Sequence, residues 1–558
     1  MQPINLEKVM FLYLMSTKVL YKTIDYVNWR SLTIVKNSTF ARHPLATKQI
    51  ACQALTNIKE SMLQVSRLAS VVTVALLLPA CTMGPDYQAQ PQDLPEHWVL
   101  DTEQVENPRE SGAEQWQYWW KQYNDPVLNR LVADALAQSI ELRIQYERIN
   151  EARAQLGLAD AERFPTIGYQ AEASRERLPG TAVPIDNDVI RDLIESTNNQ
   201  FNVSATLNYE LDLWGRVARQ REGAGAAFSQ TAFDYESAQL TLIGDVVTTY
   251  MELRATEAQH QLALQVVQGY EDALELQQAR FAEGEIAELE VQQAHAELAG
   301  ARSELPQLRI QRSALEGALA ALLGLTPAQI FNDFEQDLHH TQMVDITMPH
   351  QLPQLMPAEL LERRPDVKAA EQAVRAATAQ VGVSEADRLP GISIQGFFGT
   401  VATDSSDLFS SESRAWGITG NLAGPLIDFG RLAAGVDTAH VQLRMAQAQY
   451  EATVNGAYLE VRDALDLYQY QAQLYEAFVE QQRSVARQLE MVEDAYAEGL
   501  VSFLEVLDAR RGDASARQAV AMGKGQLLSA SATLFKALGG GWQDGVNQAT
   551  TAQLEEQP

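Results

Sequence analysis

The chain of 558 residues repeats itself. The pattern Ala152-x-Ala154-Gln155-x-Gly157, then Ala161-x-Arg163-x-Pro165-x-Ile167-x-x-Gln170, returns as Ala377-x-Ala379-Gln380-x-Gly382, then Ala386-x-Arg388-x-Pro390-x-Ile392-x-x-Gln395, at a constant offset of 225. Beyond it, Trp214-Gly215-Arg216 returns as Phe429-Gly430-Arg431, and Ala282-Glu283-Gly284 with Leu289-Glu290-Val291 returns as Ala497-Glu498-Gly499 with Leu504-Glu505-Val506, both at an offset of 215. The change of offset gives the first copy a strand-to-strand loop ten residues longer. Two copies of one supersecondary unit imply pseudo-symmetry and point to a ring or barrel in which each copy contributes equally.

Each copy reads helix, strand, loop, strand, long helix, turn, helix. From Phe201 to Leu213, apolar residues alternate with Asn202, Ser204, Thr206, Asn208, Glu210 and Asp212, the period of a strand with one wet and one dry face. Ile167, Tyr169, Ala171 and Ala173 alternate likewise, as do Ile392, Ile394 and Phe398, and Trp416, Ile418 and Leu422. A membrane β-strand needs about 9–11 such residues; four half-buried strands of a soluble sheet would show the same alternation. The stretches from Arg216 to about Glu283 and from Arg431 to Glu498 read as helices of roughly 100 Å at about 1.5 Å per residue, too long for a globule and suited to a coiled tube. Gly284 and Gly499 are expected to end them and turn the chain back. Pro306 is expected to break the return helix of the first copy.

Four strands cannot close a barrel, since the smallest common ones have about eight. Three chains supply twelve strands, and twelve helices wherever four run side by side. The fold class expected is therefore an α+β membrane protein, a trimeric 12-stranded β-barrel with four strands per chain, continuous with a long α-helical barrel.

Charge and composition narrow the function. The net charge of −30 argues against nucleic acid, which needs a cationic face. Glycine-rich phosphate loops, paired-histidine metal spacings and nucleophile elbows do not occur, and His339-His340 reads as a solvated pair in a polar connector. No enzymatic activity and no dissociable cofactor are expected. Of two cysteines, Cys81 is informative: Arg67, the apolar run Leu68–Leu78 and Leu78-Pro79-Ala80-Cys81 have the anatomy of a cleaved secretion signal ending in a lipobox. Cleavage before Cys81 would leave a covalent lipid on that residue. Met62 would begin a signal of ordinary length, so residues 1–61 read as an upstream extension from a mis-assigned start, and Cys52 within it as without a role. The expected division is signal peptide 62–80, lipidated arm 81–124, rich in Pro, Gln and aromatics and read as extended and docking through those aromatics, repeat one 125–325, connector 326–356, repeat two 357–538 and tail 539–558.

Several motifs occur in order: Cys81-Thr82-Met83-Gly84-Pro85-Asp86-Tyr87, Trp119-Trp120-Lys121-Gln122-Tyr123-Asn124-Asp125-Pro126, Leu361-Glu362-Arg363-Arg364-Pro365-Asp366, Leu504-Glu505-Val506-Leu507-Asp508-Ala509-Arg510-Arg511 and Lys536-Ala537-Leu538-Gly539-Gly540-Gly541-Trp542. Together they resemble the TolC-like outer-membrane efflux proteins, in the lipoprotein branch typified by OprM and NodT, from about Cys81 to Trp542. One departure is that the proline such proteins carry soon after Gly-Pro-Asp-Tyr comes only at Pro91. The resemblance implies a homotrimer anchored in the bacterial outer membrane by its lipid and extending into the periplasm, with an equatorial collar. It implies a passive exit duct of a tripartite multidrug or xenobiotic efflux pump, joined by a periplasmic membrane-fusion adaptor to an inner-membrane pump of the resistance-nodulation-division type. The alternatives are a structural periplasmic coiled-coil lipoprotein, which the alternating strands argue against, and an adaptor subunit, which should show a lipoyl-like sandwich of many short strands.

Leu504, Asp508 and Arg511 fall at i, i+4 and i+7 and share a helix face. By the resemblance they form a periplasmic gate, with Leu504 an apolar constriction, Asp508 a carboxylate ring and Arg511 a lock to a carboxylate on a neighbouring helix. The first copy has Gln293 and Ala296 in place of Asp508 and Arg511, so only the second copy should gate. The turns carrying Gly284 and Glu285, and Gly499 and Leu500, form the tip expected to meet the adaptor. Arg363, Arg364 and Asp366 read as the entry to a helix near the collar.

Overall fold

Alternation in sequence becomes pairing in space. The computed structural model describes residues 82–89, 117–177, 197–326, 329, 342–343, 345–349 and 363–540. The expectations for the extension, the signal, Cys81 itself, His339-His340, most of the connector and the tail from Gly541 lie outside these residues. Four strands, β1 (Thr166–Arg177), β2 (Thr197–Leu211), β3 (Gly391–Ala402) and β4 (Arg414–Ala423), form one antiparallel sheet in the order β1-β2-β3-β4.

The pairs Tyr169–Ala205, Ala205–Phe398 and Phe398–Trp416 run one file of side chains across all four strands, and Ile167–Leu207, Leu207–Gly396 and Gly396–Ile418 run the next. One face is therefore apolar and the other carries Gln170, Glu172, Asn202, Asn208, Gln395 and Asn421. The apolar face is uncovered in the chain: Tyr169 is 92% exposed and Trp416 72%. The two hairpins also pair alike. Thr166 opposes Asn208, and residues 225 and 215 further on, Gly391 opposes Ala423.

The sheet sits on long helices. The described helices are α1 (Pro126–Gln138), α2 (Ile140–Ala161), α3 (Arg216–Ala282), α4 (Glu288–Leu322), α5 (Pro365–Ala386), α6 (Arg431–Ala497) and α7 (Phe503–Ala537). Both α3 and α6 have 67 residues and both return helices have 35. No described helix is long and apolar enough to cross a membrane. Asp125 caps α1, accepting from Val127 N at 2.8 Å, with Pro126 at the first helical position, the arrangement that Asp and Pro favour there.

Two expectations are corrected. Pro306 does not break the return helix; α4 runs through it. Pro306 is exposed, so the carbonyl left without its N–H partner faces solvent and the loss is tolerated. The segment 81–124 is not an extended arm throughout. Residues 82–89 are in neither helix nor strand and bend at Gly84, and Trp119–Tyr123 is a 3₁₀ turn that docks through its aromatics, Trp119, Trp120 and Tyr123 being buried. Trp119 stacks on Phe535 at 5.0 Å and donates to Gly540 O at 3.2 Å. Around it α1, the middle of α3 and the ends of α4 and α7 close the principal core, with Leu128, Val246, Met251, Leu319 and Leu528 inside.

Candidate functional site

The tip is built by two helix reversals of one design. Leu500 N donates to Ala495 O at 2.8 Å and Glu285 N donates to Arg280 O at 2.9 Å, each across a glycine with positive φ, 73° at Gly499 and 77° at Gly284. This closure satisfies the last carbonyls and asks for a residue without Cβ. Ser502 and Glu505 then form a capping box that starts α7.

The two reversals are tied together. Arg280 Nη1 donates to Tyr496 OH at 2.6 Å and its Nε to Glu285 at 3.1 Å. Tyr496 also accepts from Gln277 at 3.1 Å and tilts over Phe503 at 5.9 Å. Above them Tyr270, Ala294, Leu298, Phe503, Val506 and Leu507 pack as a separate small core. A cavity of about 470 Å³ lies between α3 and the α6–α7 hairpin, lined by Leu276, Tyr496, Arg510 and Arg517 among others. Arg510 crosses it, bonding Glu493 at 2.9 Å and Gly269 O at 3.2 Å.

Leu504, Asp508 and Arg511 lie together on the exposed face of α7. Arg511 hydrogen-bonds Asp508 one turn before it and reaches Glu297 on α4 at 3.6 Å. The Asp508 bond and then the Glu297 charge hold the Arg511 proton more tightly than usual. Glu297 belongs to the first copy, so that copy supplies a partner at the tip although it lacks its own Asp and Arg. Gly284, Glu285, Gly499 and Leu500 are all exposed.

At the opposite end of the long helices lies the arm. Thr82 packs on Gly215, where a Cβ would come within 2.8 Å of Thr82 Cα, and Met83 N bonds Trp214 O at 3.0 Å. Gly84 lies on Gly382 so closely that a Cβ would stand 2.4 Å from Gly382 Cα. The buried Arg219 grips the arm through Met83 O at 3.1 Å and Asp86 at 2.6 Å. Tyr87 donates to Glu371 at 2.9 Å beneath Arg375, 4.6 Å from its ring. Residue 82, next to Cys81, thus stands where β2 becomes α3. Arg364 enters α5 as expected, bonding Ala537 O at 2.7 Å and Glu460 at 2.6 Å.

Arg219, Arg280 and Glu297 were not singled out by motif. One signal marks them: their counterparts at an offset of 215 are Ala434, Ala495 and Gly512, so each is a place where the copies differ. Among the described residues no His, Cys, Asp or Glu cluster is arranged to hold a metal ion.

The geometry of sheet, long helices and tip agrees with what is known of other proteins. The chain matches the family of outer membrane efflux proteins over residues 131–325 and 356–540. It is 29% identical over 495 residues to the antibiotic efflux pump outer membrane protein ArpC of Pseudomonas putida, covering 88% of this chain and 99% of the relative. It is 28% identical to the cation efflux system protein CusC of Escherichia coli over 480 residues, covering 84% and 98%. In structure it is similar to the outer-membrane channel OprN, with a TM-score of 0.75 at 30% identity, covering 83% of this chain and all of that one. It is also similar to the open state of the Neisseria gonorrhoeae MtrE outer membrane channel, with a TM-score of 0.72 at 26% identity, covering 83% and 98%. The chain belongs to the outer membrane efflux protein family, and is a channel component of a bacterial efflux pump.

Proposed function

We propose that the protein works as a lipid-anchored homotrimer, a passive exit duct whose twelve pooled strands form a closed barrel and whose long helices form a periplasmic tube ending in a gate. The uncovered apolar face of the sheet carries this reading. Its outward run on β2 from Phe201 to Leu211, ten steps of about 3.4 Å tilted by about 40°, stands about 25 Å tall, the height of a membrane barrel's apolar band. The free edges of β1 and β4 need partners, and copies of the same chain supply them. Acylation of Cys81 fits the arm, because Thr82 packs at the strand-to-helix junction, where lipid gives way to water.

The gate is a ring of Leu504, Asp508 and Arg511 about the threefold axis, and the tip residues Gly284, Glu285, Gly499 and Leu500 face a periplasmic membrane-fusion adaptor, which connects the duct to an inner-membrane pump. The pair Arg511–Asp508 lies within one helix and does not itself resist opening. Arg511–Glu297 joins the two hairpins and does. An exposed pair contributes about 0.5 kcal/mol, so three subunits hold the gate by about 1.5 kcal/mol, roughly tenfold in the closed-to-open ratio.

In planar bilayers Asp508→Ala with Arg511→Ala is expected to raise single-channel conductance, and Glu297→Gln alone to raise the open fraction about tenfold. Unchanged conductance in both variants removes these residues from the gate. A protein that is monomeric in detergent and electrically silent removes the duct.

A further inference from the structure

Charge on the sheet is segregated. In the described strands the polar face carries Glu172, Glu176 and Glu210 and no cation. The apolar face carries three arginines, Arg175, Arg177 and Arg414, and no carboxylate. All three sit at the hairpin-loop ends of their strands and are exposed, and none forms a salt bridge with another described residue. An arginine costs about 2–4 kcal/mol at the middle of a bilayer and almost nothing at its surface. Their depth therefore corresponds to headgroups, directly above the apolar band.

Within one chain the cluster is split. Arg175 and Arg177 are on the first strand and Arg414 on the fourth, three strand spacings or about 14 Å apart. The duplicated register shows how they meet. Phe201 opposes Ala402 and Leu207 opposes Gly396 across the in-chain seam between β2 and β3. Moving the β2 residue forward by 215 and the β3 residue back by 225, the shifts that relate the two hairpins, gives the seam between β4 and β1 of the next copy. Trp416 then opposes Arg177 of the next copy, Ile418 opposes its Arg175 and Leu422 its Ala171. Directly opposed side chains in such a ladder stand about 5 Å apart and diagonal ones about 7–8 Å, which places Arg414 beside Arg177 of the next copy.

We propose that each seam of the trimer holds a binding site for the phosphate of an anionic lipid in the outer leaflet, built from Arg414 and Trp416 of one copy and Arg175 and Arg177 of the next. The inference rests on the trimeric reading above. Guanidinium forks suit phosphate oxygens, and Trp416 offers an amphipathic ring at headgroup depth. The apolar band below accepts the acyl chains, so the ligand is an amphiphile with a phosphorylated head. Each site needs two copies, so a lipid bound there bridges the seam.

Two measurements on the purified full-length protein test this. Native mass spectrometry with added lipid A is expected to show up to three lipids on the trimer, with affinity at least about tenfold weaker for Arg175→Gln/Arg177→Gln/Arg414→Gln. Dephosphorylated lipid A is expected to bind as weakly to both proteins. Equal binding by the triple variant, equal binding of the dephosphorylated lipid, or inorganic phosphate binding as tightly as lipid A overturns the site. Oxidation of a Leu422→Cys/Ala171→Cys variant is expected to link copies covalently up to the trimer. Linking of Leu422→Cys to a cysteine at Tyr169 or Ala173 instead overturns the seam register while leaving the trimer standing. A monomer without cross-links overturns the trimeric reading beneath it.

Discussion

The arm is held by contacts too close to admit even a methyl group. Gly84 has φ 85°, and its missing Cβ would collide with backbone, not with a movable side chain. Gly84→Ala is expected to release the arm at a cost of about 1–3 kcal/mol, seen as faster hydrogen exchange over residues 82–89 with the rest of the helices unchanged. Tyr87 adds a pH dependence. Partial burial, then its bond to Glu371, pushes the phenol up from 10.0 to about 12. Because the docked arm favours the neutral phenol, its contribution is complete below about pH 10 and is lost as pH rises through about 12. Protection of the arm is expected to fall in that window in the natural chain and to stay level in Tyr87→Phe. The motif around Gly84-Pro85-Asp86-Tyr87 is visible in the sequence. Arg219, which grips it, is not, because the two are joined only by folding across 133 residues.

Among elements, the helices were the most legible. The long helical stretches after Arg216 and Arg431 and the glycines at 284 and 499 locate α3, α6 and both reversals within a residue or two. Leu504, Asp508 and Arg511 share a face because helix geometry alone requires it. Their partner Glu297 lies on another hairpin, and its alignment depends on how two long helices slide against each other, which no local pattern encodes. Pro306 shows the same limit in reverse. The residue predicts a break, but the outcome depends on which side of α4 meets water. At the tip, the Ser502 hydroxyl holds the first turn of α7 by accepting from the Glu505 backbone N–H, while Glu505 Oε2 accepts in return from Ser502 N at 2.6 Å. Ser502→Ala is expected to cost about 1 kcal/mol, measurable as faster exchange over the first turn of α7 with the core around Trp119 unaffected.

At the scale of the molecule, the sheet is an amphipathic wall. Ala205 lies near the middle of its apolar face and Asn208 on the polar one. Ala205→Lys is expected to destabilise the barrel by about 2–4 kcal/mol per subunit, while Asn208→Lys changes stability by less than about 0.5 kcal/mol; urea-dependent folding into lipid vesicles separates them. The four strands were readable in the alternation before any coordinates, and the twelve strands of three chains are the proposal that their shortfall prompts. The aromatic segment around Trp119–Tyr123 docks through its aromatics as read, but its 3₁₀ turn was not foreseen, because a segment between prolines gives no sign of which core it will enter.

The two 67-residue helices run unbroken from the sheet to the tip, while their 35-residue partners stop about half-way and α2 and α5 continue along α3 and α6 above. In the proposed trimer each third of the cask has four staves, two whole and two jointed at the waist, where the principal core is packed. A twist applied at the foot of such an assembly would be absorbed at the joints. The rim that the proposed trimer sets in lipid would keep its hydrogen-bonded hoop while the foot turned.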